Sequence, residues 1–125
     1  MALGKIKADT LEHSTAGSLD TKFVVNGSAK VRIKFTLAST FSTLDSFNVS
    51  SVDDDGLGDF GINFTSSMSD AEYVAPSACG DGNRIAYTNF GTVTSSSMDG
   101  EIRKASDNTS VDAAKVSISI DGDLA

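Results

Sequence analysis

The sequence predicts an all-β fold: an antiparallel β-sandwich or small barrel of about six to eight short strands with an extended N-terminal arm. Three observations carry this prediction. Several runs alternate apolar and polar residues at period two. Turn residues recur at roughly ten-residue spacing between them. No window longer than two turns places apolar residues at i, i+3, i+4 and i+7, as a helix with one buried face requires.

The chain has 125 residues, which sets one domain as the expectation. Its apolar fraction is 39%, below the globular average, and Trp is absent. Nineteen Ser and eleven Thr suit exposed strand faces and thin the core, so some apolar burial is expected to come from neighbouring subunits.

Residues 1–21 show weak periodicity, with Leu3, Ile6 and Leu11 loosely spaced and a loop at Thr15-Ala16-Gly17-Ser18. They are read as an arm that orders on a partner. Residues 22–125 form the single β domain. Lys22-Phe23-Val24-Val25 reads as a short strand closed by the turn pair Asn26-Gly27. Ser28 to Leu37 is the clearest strand. Ala29, Val31, Ile33, Phe35 and Leu37 form its apolar face and Lys30, Arg32 and Lys34 its basic one. Ala38 to Ser46, with Phe41 and Leu44 inside, reads as a Ser/Thr-rich loop that drops one aromatic onto the core.

Next come two strand-like runs, Phe47–Val52 and Phe60–Thr65, on either side of Asp53–Asp59. Asp and Gly supply turn chemistry, so this is a hairpin with its aspartates in the loop and Phe60, Ile62 and Phe64 feeding the core. A short strand is expected around Tyr73-Val74, with Pro76 at a strand end or sheet edge. Cys79 to Asn83 reads as a turn. Arg84 to Val93 reads as a strand with Ile85 and Tyr87 on one side. Thr94 to Gly100 reads as a loop, Glu101 to Ala105 as a short strand, and Ala113 to Ile120 as a closing strand. In the last, Val116, Ile118 and Ile120 face one way.

The net charge is −7, which argues against nucleic acid as a partner. The charge is uneven. Residues 1–40 hold six basic groups against three acids, and residues 41–125 hold four against fourteen. The basic head on an acidic body points to one docking and one solvated part. Lys5, Lys7, Lys30, Arg32 and Lys34 are the candidate partner-docking residues. The alternative for the strand cations is a solvated face that protects an edge.

The sequence carries no reactive constellation. Cys79 is the single cysteine, so no intrachain disulfide forms. The head lacks the apolar run of a signal peptide, and no run is long enough to span a membrane. His13 is the single histidine, which leaves too few His and Cys for a metal site built from them. Asp53-Asp54-Asp55-Gly56 invites a calcium loop. Aligning Gly56 with the loop glycine puts Ser51 first and Ile62 last, so the required bidentate acid is missing. No phosphate loop, dinucleotide fingerprint or nucleophile elbow is present. The expectation is therefore no catalytic residue, no metal, no cofactor and no enzyme.

The stretch SFNVSSVDDDGLGDFGINFTSSMSDAEY resembles a hairpin module repeated across structural proteins of marine tailed phages, especially cyanophages. The pattern there is "SxNVSSxTDNGTGDYTVNFTxxM". The strand Lys30–Phe35, the segment Leu44-Asp45-Ser46 and the ending Asp121-Gly122-Asp123-Leu124-Ala125 match flanking parts of that family's pattern. The head GKIKADTLEHSTAGSLDTKFVVNGSAK is similar to small virion proteins of the same phages. The likeness covers residues 4–75 and the last few. It departs in a more cationic strand, in Ser39–Thr43, and in Asp53-Asp54-Asp55 replacing Thr-Asp-Asn.

The resemblance implies a non-enzymatic virion protein, made in a bacterial host cytoplasm and placed on the capsid surface as a decoration or knob protein. The alternative it implies is a tail-fibre or spike adhesin that binds a host surface glycan. The partners would be other virion proteins, the major capsid protein or tail proteins, and copies of itself as dimer or trimer. Neither nucleic acid nor membrane is expected.

Overall fold

A computed structural model describes Gly4, residues 7–89 and residues 92–125. Among these residues the chain is a β-sandwich with a small N-terminal attachment. Its elements are β1 (Thr10–His13), β2 (Gly17–Asp20), α1 (Thr21–Asn26), β3 (Val31–Thr36), β4 (Ser42–Phe47), β5 (Val49–Gly56), β6 (Asp59–Phe64), β7 (Ser77–Cys79), β8 (Arg84–Thr88), β9 (Ser97–Lys104) and β10 (Val116–Ile120). One sheet has the order β4-β3-β10-β7 and the other β5-β6-β9-β8; β1 and β2 pair only with each other. Every pairing is antiparallel.

Period-two alternation becomes the core. Val31, Ile33 and Phe35 of β3 and Val116, Ile118 and Ile120 of β10 meet Phe60, Ile62 and Phe64 of β6 and Met98 and Ile102 of β9. Phe35 and Phe60 join the sheets edge to face, with ring centroids 5.1 Å apart. Phe41 packs on Phe35 at 6.2 Å, the aromatic expected from that segment. Tyr73 lies beside Phe64 and donates its hydroxyl to Ser97 O at 2.8 Å.

Gly100 stands directly opposite Phe60 on the inner face. A Cβ there would run into the Phe60 ring and approach Tyr87 O at 2.8 Å. The missing side chain is what lets the ring lie across β9.

Five expectations are corrected. The loop expected over residues 38–46 is confined to 38–41: β4 occupies Ser42–Phe47 as an edge strand paired with β3. Its side chains are exposed throughout, so no apolar alternation announced it. Phe47 therefore belongs to β4 rather than to the strand that follows.

Asp53, Asp54 and Asp55 are likewise not loop residues. They extend β5, with Asp53 opposite Gly61 and Asp54 opposite Phe60, and the turn is reduced to Leu57-Gly58. Gly58 takes φ +79 there. β5 is an edge strand, so its aspartates stay solvated and Asp's low strand propensity costs little.

Residues 97–100 are strand rather than loop. β9 is an interior strand whose inward positions are Met98, Gly100 and Ile102, and a Ser/Gly-rich stretch hides that alternation. Around Val74 there is a single bridge, to Asp121, in place of a strand. Lastly, residues 22–25 are not a strand. They lie in α1, whose Val25 carbonyl accepts from the Lys30 ammonium and the Ser28 hydroxyl. With no neighbouring strand to pair, local capping outweighs the β preference of Val24-Val25.

The N-terminal stretch also has internal structure. β1 and β2 form a hairpin, and Thr21 N–H donates to Asp9 O at 2.8 Å. Neither β2 nor α1 buries any residue.

Candidate docking surface

Of the four predicted docking cations among the described residues, Lys7 and Lys30 do not share one surface with Arg32 and Lys34. Lys5 lies outside the described residues. Lys7 is exposed and precedes β1, beside a groove of about 450 Å³ lined by Asp9, Leu11, Val24 and Val25 among others. Lys30 is buried, and its ammonium donates to Val25 O and to Ser28 O at 2.6 Å. It closes the C-terminal end of α1, where a cation complements the carbonyls of the last turn. An ammonium held this way is not offered to a partner.

Arg32 and Lys34 do stand together. Both point outward from β3, since Val31, Ile33 and Phe35 point in. Arg32 Nε lies 3.3 Å from Asp45 Oδ2 on β4, an exposed pair worth little to stability. Lys34 stands opposite Asp45 in the register. A shallow groove of about 390 Å³ runs beside them, floored by Pro76, Ala78, Ser117 and Ser119.

The outer face of the second sheet has the opposite character. Asp53 and Asp99 flank Gly61 in the register, and Asp59 lies opposite Glu101. With no side chain on Gly61, the Asp55 and Asp99 carboxylates converge over it. Asn63 Nδ2 donates to Asp53 Oδ2 at 2.7 Å and to Ser51 Oγ at 2.9 Å. Glu101 is held below the usual carboxylate range, first by its hydrogen bond from Arg103, with Ser110 adding a second at 2.8 Å. Among the described residues, no group of three or more His, Cys, Asp and Glu is arranged to hold a metal ion.

Cys79 is half-buried, and burial pushes its thiol pKa up. A protonated thiol is a poor nucleophile.

Apolar exposure is the signal that sequence reasoning missed. Leu11 and Leu19 on the hairpin and Phe23, Val24 and Val25 on α1 are all exposed, as are Leu44 and Phe47 on β4. A groove of about 570 Å³ joins the two regions and is lined by Val25, Ala29, Lys30, Phe47, Thr65 and Leu124 among others. Clusters of exposed apolar side chains mark contact surfaces. The residues were visible in the sequence. Their exposure was not, because apolar type alone reads as core.

Compared with protein-family models, with curated proteins and with solved structures, the chain matches none.

Proposed function

We propose that this chain is a non-enzymatic structural protein of a phage particle: a decoration or knob protein held on the outside of the head shell. One observation carries the reading. Residues 10–26 fold into a hairpin and a helix in which none of the described side chains is buried, while the sandwich closes over its own core. A segment with Leu11, Leu19, Phe23, Val24 and Val25 exposed is built to be covered by something else. The hairpin sequence Ser46–Tyr73, with its resemblance to virion modules, supplies the setting. In that setting the N-terminal segment grips the shell, the acidic sandwich projects into solvent, and neither cofactor nor nucleic acid takes part.

Removing residues 1–27 tests this. The truncated protein is expected to keep its sandwich by circular dichroism and to disappear from purified particles. Normal incorporation would overturn the docking role.

One observation favours the adhesin alternative. Of the aromatics a sugar could stack on, Tyr73 and Phe41 are engaged in core packing, but Tyr87 lies 41% exposed beside Glu101 on the acidic face. Copy number separates the two readings. Tens to hundreds of copies on the head support decoration, whereas a small multiple of three or six at the tail supports the adhesin.

A further inference from the structure

Four strands end the two sheets, and three of them are protected. β5 carries three consecutive aspartates and two register shifts. Its like charges and bulges discourage another strand from adding. β7 has only three residues and follows Pro76. It is stitched to β8 across the sandwich: Ser77 Oγ donates to Ala86 O at 3.1 Å, and Thr88 Oγ1 to Ala75 O at 3.3 Å. Both edges on that side are thus closed against each other.

β4 has none of these devices except one bulge. It runs six residues without Pro or Lys. Among the described residues, its backbone bonds on one side to β3, and no hydrogen bond reaches its other edge. Leu44 is the bulged residue, without a counterpart between Lys34–Asp45 and Phe35–Thr43. It stands 52% exposed, and Phe47 at the end of the strand is 55% exposed.

We infer that β4 is the self-association edge of this protein: a second copy adds its own β4, antiparallel, to make one continuous eight-stranded sheet. Charge selects the occupant. The whole chain carries −7, and the outer face of the other sheet gathers Asp53, Asp55, Asp59, Asp99 and Glu101. Two copies therefore repel each other there. The face that bears β4 instead presents Arg32, Lys34 and a single acid, Asp45. A two-fold contact is isologous, so each copy brings the same groups to the seam. Strands lie about 4.8 Å apart, which puts Lys34 on β3 within side-chain reach of the partner's β4. Lys34 makes no ion pair of its own among the described residues, and Asp45 of the second copy supplies one. Backbone pairing provides the affinity, and covering Leu44 and Phe47 adds apolar burial. This inference does not depend on the capsid reading, because it concerns the isolated protein.

The test is sedimentation equilibrium of the full chain across the micromolar range, with amide hydrogen exchange followed at low and high concentration. A reversible dimer is expected, with slowed exchange at alternate amides of Ser42–Phe47 as concentration rises. Leu44→Lys puts a cation on the edge and should weaken the dimer about tenfold or more. Asp54→Lys on β5, the edge of the other sheet, should leave it within about twofold. A monomer throughout would overturn the inference. So would a dimer indifferent to Leu44→Lys, or β4 protection that appears only when capsid shells are added, which would assign the edge to a foreign strand.

Discussion

Phe23 and Phe60 are the same residue type in two environments. Phe23 sits in α1 with 58% of its surface exposed, and Phe60 sits in β6 with 1% exposed. The difference extends to their surroundings. β1, β2 and α1 hold one another by backbone pairing and a few caps. Among the described residues, the sandwich is held by fifteen buried apolar residues drawn from both sheets and their connections. Apolar content is therefore a poor guide to what a segment of this chain does. The sandwich spends its apolar side chains on its own stability, whereas the N-terminal segment leaves them available for contact.

The largest expected effect breaks that contrast directly. Phe60→Ala should destabilise the protein by about 3–5 kcal/mol in chemical denaturation, because a cavity opens between the sheets. Phe23→Ala should change the same midpoint by less than about 0.5 kcal/mol. Equal effects would mean that α1 packs on the sandwich after all.

Gly100→Val comes next. Its added atoms meet the Phe60 ring and the Tyr87 carbonyl on an interior strand. The expected cost is about 1–3 kcal/mol, read from the denaturation midpoint. Pairing the change with Phe60→Leu should recover part of that loss, because the ring is the main obstacle.

The smallest effect is pH-dependent. Tyr73 has its pKa pushed up to about 12, first by burial and second by the Asp99 carboxylate. The unfolded chain ionises near 10, so the neutral folded phenol contributes stability in full below pH 10 and loses it between pH 10 and about 12. Tyr73→Phe should cost about 1 kcal/mol at neutral pH through the lost hydrogen bond to Ser97. It should also flatten the alkaline decline in melting temperature. An unchanged decline would assign it to other groups.

Most of the fold was legible wherever a strand has one buried and one exposed face. The alternations in β3, β6 and β10 each named the residues that turn inward. Legibility failed at β4, β5, β9 and α1. β4 is exposed on both faces and carries no period. In β5, Asp53–Asp55 imitate a turn although they continue a strand, because an edge position leaves them in water. In β9, Gly100 occupies an inward position where alternation calls for an apolar side chain, since the Phe60 ring fills that space from the neighbouring strand. The candidate surface was half legible. Arg32 and Lys34 were found as outward cations, but Lys30 continued the same alternation and proved buried.

By itself, the sequence determined that this chain is β and which residues of its best strands turn inward, because period two is a local property of an extended backbone. Tertiary structure alone decided that Lys22–Val25 coil into a helix, that three aspartates lie in a ladder, that Lys30 turns in to close α1, and that β4 is left as an open edge. The aspartate ladder and the open edge depend on which partner the backbone finds across the fold, which neighbours in sequence do not specify, whereas α1 and Lys30 are held by the near neighbours Val25 and Ser28 where no strand among the described residues pairs with residues 22–25.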